Sequence, residues 1–110
     1  MRMNRRSFSV SPVKVDIPPE GNTYKVWLYS LTSGQVYDYG VFPDGVYGEF
    51  AAGEEIEIDL TVDSGIDGVS GVFPNDPENM DNIDWWETEY NVVNLVMPAY
   101  DVLVEVFTRY

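Results

Sequence analysis

Apolar residues recur with a period of two along most of this chain, and that period predicts strands. The cleanest case is 55–62, where Ile56, Ile58, Leu60 and Val62 alternate with Glu55, Glu57, Asp59 and Thr61. One face of that strand belongs in a core and the other in water. Upstream, Phe8 and Val10 share one side, and beyond Pro12 the apolar set of Val13, Val15 and Ile17 changes parity, as a bulge or edge crossing would require. A loop is predicted over 18–22, rich in Pro and Gly. Residues 23–31 carry Tyr24, Val26, Trp27, Leu28 and Tyr29, with too few polar interruptions for a half-wet strand, so this strand is expected to be buried on both faces. A turn at 32–35 returns the chain through 36–42. Pro43-Asp44-Gly45 then supplies a second turn, Pro presetting φ and Gly accepting a positive φ. A further strand is expected at 69–73 and a long polar loop at 74–87. Strands at 89–96 and 101–109, joined by Met97-Pro98-Ala99-Tyr100, are expected to form a closing hairpin. No window of eleven residues holds helical spacing without interruption. The prediction is an all-β sandwich of seven to eight mostly antiparallel strands with no internal repeat.

Composition narrows the chemistry. The 110 residues are 45% hydrophobic, enough for one core and one domain, placed at 8–110 behind a basic arm at 1–7. The chain holds no Cys and no His, which removes Ser-His-Asp and Cys-His nucleophiles, redox pairs, disulfides and imidazole or thiolate metal sites. Enzymatic activity and cofactors are therefore not expected. Formal charge is −13 at pH 7, and it is unevenly placed. Arg2, Arg5, Arg6, Lys14 and Lys25 are five of the six basic residues, whereas 17 of the 19 acids fall within 26–108. A basic tip on an acidic body argues against duplex nucleic acid, whose phosphates need clustered cations. The basic start lacks the apolar run of an export signal, and no stretch is long enough to span a bilayer. The expected location is a virion, or the cytoplasm before assembly.

Three segments bring in a family resemblance. Met97-Pro98-Ala99-Tyr100-Asp101-Val102-Leu103-Val104-Glu105-Val106 is similar to the Met-Pro-x-x-Asp-Val-x-Val-x-Val segment that closes bacterial immunoglobulin-like repeats. Ala52-Gly53-Glu54-Glu55-Ile56-Glu57-Ile58 and Asp63-Ser64-Gly65-Ile66 resemble the opening strand and following turn of the same modules, with Ile66 where an aromatic is usual. The resemblance is to the internalin-type B-repeat and Listeria–Bacteroides repeat group, and it covers about 51–107. It implies an Ig-like fold and carries no activity with it. Asp101 is expected to accept hydrogen bonds from amides of the turn.

Several residues are candidates for recognition. Neighbours on an extended chain face opposite ways, so one of Trp85 and Trp86 points inward and the other is presented. A presented indole among Asp84, Glu87 and Glu89 suits three roles: capping the core, anchoring a protein interface, or stacking on a sugar. Arg2, Arg5 and Arg6 form either a solvated tail or a clasp for an acidic neighbour. Tyr37, Tyr39 and Tyr47 are available to line a strand-edge contact. The oxygen-rich loop 75–84 lacks both the spacing and the glycine of a calcium loop, so it is expected to be solvated. Glu55, Glu57 and Asp59 lie about 7 Å apart in succession on an open face, without the burial that acid–base catalysis needs. Two functional classes follow. One is a structural accessory or decoration protein of a bacteriophage virion, bound to a capsid or other protein subunit through its arm and aromatic surface. The other is an adhesin-like or carbohydrate-binding module of a bacterial surface protein.

Overall fold

Alternation produces strands here because each buried Val, Leu or Ile is worth roughly 1.5–3 kcal/mol, and the pleat delivers every second side chain to the same face. The computed structural model describes residues 22–38 and 40–109. It contains β1 (Tyr24–Ser30), β2 (Gln35–Val36), β3 (Val46–Phe50), β4 (Glu55–Asp59), β5 (Ile66–Pro74), β6 (Trp85–Glu89), β7 (Val92–Val96) and β8 (Val102–Thr108). The larger sheet has the order β2-β1-β8-β5, with β3 also paired to β1, and the smaller is β4-β7-β6. Every pairing is antiparallel except β1 with β8. The predicted all-β sandwich is what forms. Its core joins Val26 and Leu28 of β1 and Val102, Val104 and Val106 of β8 to Ile56 and Ile58 of β4 and Val93 and Leu95 of β7.

Several expected elements differ. The Met-Pro segment does not close a hairpin. Its flanking strands lie in different sheets, β7 beside β4 and β6, and β8 between β1 and β5. Met97 is buried and anchors the crossing, where its amide and carbonyl bond Glu54 and Gly53. The return strand expected over 36–42 shrinks to the two residues of β2, because Tyr37 turns its ring into the core. Trp85 and Trp86 belong to a strand rather than to the polar loop. That strand pairs with β7 through a turn at Tyr90 and Asn91, where Asn91 adopts φ 63°. β3 goes unseen in the pattern because Gly48 and Glu49 interrupt it. Nor is β1 buried on both faces: Val26, Leu28 and Ser30 are buried, but Lys25, Trp27 and Tyr29 are only half-covered. The strands expected within 8–17, and the arm at 1–7, lie outside the described residues.

Turn chemistry holds the lower end together. Both Asp44 (φ 56°) and Gly45 (φ 74°) take left-handed backbone in the turn after Pro43. A Cβ on Gly45 would sit 2.2 Å from Val36 Cγ1, so no other residue fits. Asp63 is buried, and its two oxygens are used separately. Oδ1 accepts the Gly65 amide at 2.9 Å and Oδ2 accepts the Tyr37 hydroxyl at 3.0 Å. One carboxylate thus shapes the 63–66 turn and pins the segment after β2. At the same end, Ser30 and Thr108 satisfy each other in the interior at 2.7 Å. Removing the Tyr37 hydroxyl leaves Asp63 Oδ2 buried without its donor, so Tyr37→Phe is expected to cost about 2 kcal/mol. Urea unfolding should show a lower midpoint with an unchanged slope.

Candidate protein-interaction surfaces

The opposite faces of Trp85 and Trp86 arise from their register on β7. Trp85 stands opposite Leu95, whose side chain is buried, and its ring packs against the core. Trp86 stands opposite Asn94 and is presented, 40% exposed. Asn94 in turn pairs with Glu57, so Glu57, Asn94 and Trp86 form one row across all three strands of the small sheet. Val96, 44% exposed, is the diagonal neighbour of Trp86 and stands opposite Glu55. Asn94 Nδ2 donates to Thr88 Oγ1 at 3.1 Å, which fixes the amide beside the indole. The outer face of this sheet is therefore an apolar Trp86–Val96 pair bordered by Glu55, Glu57 and Asp59. At the Asp59 end, hydrogen bonds from Thr61, hydroxyl first and amide second, hold the Asp59 carboxyl below its usual value against a smaller opposing effect of burial.

The outer face of the large sheet has the contrary character. Val46, Trp27, Leu103 and Phe73 align in one row across four strands. Val36, Tyr29, Glu105 and Gly71 form the next row. Phe107 and Leu31 extend the face downward, and Phe73 and Phe107 are 45% and 47% exposed. Trp27 is held in place: its Nε1–H donates to Asp101 Oδ2 at 3.1 Å, and the Lys25 ammonium lies 5.4 Å from the ring centroid. Asp101 Oδ1 accepts the Lys25 amide at 2.9 Å. The carboxylate expected to serve its own turn thus serves β1 instead. The edge of the Phe73 ring sits over Gly71, where a Cβ would meet it at 2.7 Å. The sequence reading missed Trp27, Leu103, Phe73 and Phe107 as surface residues. The available signal was that 23–31 and 102–108 carry apolar side chains at both parities.

Other candidates have local explanations. In the 75–84 loop, Asp76 Oδ1 accepts the Glu78 amide and Asn79 Oδ1 accepts the Asp81 amide, each at 3.0 Å. Among the described residues no group of three or more acidic side chains is arranged to hold a metal ion, and no helix is long and apolar enough to cross a membrane. Tyr37 is buried, so it lines no edge. Tyr47 bridges the sheets, donating to the Glu57 carbonyl at 3.4 Å and accepting the Asp59 amide at 3.1 Å. Tyr39, Arg2, Arg5 and Arg6 lie outside the described residues.

No protein-family model matches the chain, and neither does any curated protein or solved structure.

Two measurements check this geometry. Asp101→Ala strands the Lys25 amide and the Trp27 indole N–H, which should cost about 2 kcal/mol in urea unfolding and red-shift Trp27 emission. Thr61→Val should raise the Asp59 pKa in a carboxyl NMR titration. Because the folded value is depressed, the stabilisation from this pair is present above the unfolded pKa and is lost as pH falls through the folded one.

Proposed function

We propose that this chain is a non-catalytic interaction protein that docks on a basic protein surface through the outer face of its small sheet, with Trp86 as the anchor. The observation that carries this reading is the presented Trp86–Val96 pair, bordered by Glu55, Glu57 and Asp59 on an otherwise polar face. Interface hot spots have that anatomy, an aromatic centre inside a polar rim. Among the described residues two basic side chains stand against seventeen acidic ones, a net charge of −15, so the favoured partner is cationic. The setting we infer is an accessory or decoration subunit of a bacteriophage particle, located on the virion or in the cytoplasm before assembly. It rests on the resemblance of 51–107 to Ig-like modules, which phages use as capsid and tail accessories. The N-terminal arginines would add charge-assisted contacts.

A second reading is favoured by one feature. Asn94 and Glu57, in line with an exposed indole, supply the donors and acceptors that a sugar ring stacked on Trp86 would use.

The test separates the two. If the protein is a particle subunit, the wild-type chain should co-sediment with assembled particles, and Trp86→Ala should lose at least about 30-fold in retention with an unchanged melting temperature, the effect of removing a hot spot worth about 2 kcal/mol. Retention should also weaken steeply as salt rises. Equal retention of Trp86→Ala would sink the docking face. Absence from particles, together with a sugar-induced change in Trp86 fluorescence, would replace the protein partner with a glycan.

A further inference from the structure

The outer face of the large sheet has a carboxylate at its centre, and this feature is independent of the Trp86 face. Glu105 is half-buried and faces outward on β8, between Leu103 and Phe107. Its lateral neighbours are Tyr29 on β1 and Gly71 on β5. Gly71 adds no side chain, and the ring edge of Phe73 lies 2.7 Å from where its Cβ would be. The carboxylate therefore sits among Tyr29, Phe73, Leu103 and Phe107, at a position where strands favour aromatic or β-branched residues. The two basic side chains among the described residues are engaged elsewhere. Lys25 lies over the Trp27 ring, and Arg109 pairs with Asp67 at 2.8 Å. Among the described residues no hydrogen bond or ion pair reaches Glu105. A carboxylate that loses part of its hydration without gaining a partner costs free energy. Glu105 thus holds no other described element in place, and its chemistry is directed outward.

We propose that this face binds an extended segment of a partner protein with the pattern aliphatic-x-Arg-x-aliphatic, its arginine pairing with Glu105. Charge complementarity selects the central residue. A guanidinium is planar and weakly hydrated, and it can fork onto a carboxylate while stacking on an aromatic ring, which a lysine ammonium cannot do. Tyr29 and Phe73 are the rings beside Glu105. Spacing selects the flanking residues. Leu103 and Phe107 stand two positions to either side of Glu105, about 7 Å along the strand, the same interval that separates alternate side chains of an incoming extended segment. Trp27 beside Leu103, and Leu31 just beyond the Ser30–Val106 pair, widen the two apolar patches. Size limits the occupant. Four strands about 4.8 Å apart and seven residues long make a face of roughly 19 by 23 Å. That is about half of the ~800 Å² per partner that a standard stable interface buries, so a short segment suits it better than a globular surface. A second copy meets a further cost. In a two-fold pair about the centre of the face, Glu105 would approach its own image. Acids elsewhere on the domain, whose described residues carry a net charge of −15, raise the local concentration of a cationic segment.

The probe is a blocked heptapeptide of alternating threonine and valine with arginine at its centre, titrated into the isotope-labelled full chain. Saturable NMR shifts should appear at the amides of Tyr29, Gly71, Phe73 and Glu105 and at the Trp27 indole N–H. Glu105→Gln should weaken binding at least about tenfold, the loss of one charge-assisted pair, with a melting temperature unchanged or raised. On the native chain, the peptide with central lysine should bind more weakly than the arginine peptide, and the one with central glutamine more weakly still. Should Glu105→Gln fail to fold, this peptide series still decides. Equal binding by Glu105→Gln, or by all three peptides, would overturn arginine recognition. A clearly lower melting temperature for Glu105→Gln would overturn it too, since the carboxylate would then serve the fold. Shifts confined to Trp86 and Asn94 would put the peptide on the small sheet and sink the proposal, as would the absence of any saturable shift. A dimer in sedimentation equilibrium that Leu103→Lys dissociates would make a second copy the occupant instead.

Discussion

The parallel pairing of β1 with β8 is the constraint from which the rest of the molecule follows. Parallel neighbours cannot be joined by a tight turn. The chain between them, from Leu31 to Asp101, must therefore leave the large sheet and come back. It does so twice, building β4 before it returns as β5 and then β6 and β7 before β8, so these excursions make the second layer of the sandwich. Asp101 closes the circuit by accepting the amide of Lys25 and the indole of Trp27, groups that arrive from 76 and 74 residues away. The same topology explains why one face of the large sheet is uncovered by anything between β1 and β8: the crossover passes on one side only.

What the sequence revealed depended on whether a feature was local. The alternation of Ile56 and Ile58 with Glu55 and Glu57 needs no partner to be read and is realised, but the strand expected over 55–62 ends at Asp59, and Val62, expected on the core face, is 59% exposed. The opposed orientation of Trp85 and Trp86 follows from the pleat alone and is likewise realised. The Met97-Pro98 segment misled because a turn-forming dipeptide between two strands looks the same whether they pair or diverge. Only the burial of Met97 between the layers separates the two cases. β3 escaped notice since Gly48 and Glu49 dilute its pattern, while a register shift lets Tyr47 reach across to β4. The aromatic face was hidden for the opposite reason. Apolar residues at both parities of β1 remove the contrast that periodicity needs, and they read as burial on both sides.

Charge is partitioned between the two faces. The outer side of the small sheet carries Glu55, Glu57 and Asp59, and the large sheet presents Trp27, Leu103 and Phe73 with Glu105 among them. Carboxylates at that density keep like molecules apart and draw cationic surfaces in. In the docking role proposed above, the acidic rim would steer a basic partner and the ring would supply the desolvated area that holds it. An apolar face in the same molecule would, left bare, compete for non-specific contacts. The two faces therefore differ in kind, one mainly acidic around a single indole and the other mainly apolar around a single carboxylate.

The sheet edges decide how contact is made. β5, at one margin of the large sheet, is interrupted at Asp67 and Ser70, where its register with β8 shifts twice. β2 at the opposite margin has only two paired residues. In the small sheet, β6 shifts register at Thr88 and carries Glu87 and Glu89, while the Tyr47 hydroxyl occupies the Glu57 carbonyl and the Asp59 amide of β4. Bulges, brevity, charge and a capping side chain are the means by which sheets avoid adding strands from neighbours. At these four margins association through backbone pairing is disfavoured, and the side chains on the faces are left as the means of contact. Positions on the faces can be changed singly without touching the ladder, and Trp86, standing on a strand whose partner residues stay paired, is the clearest of them.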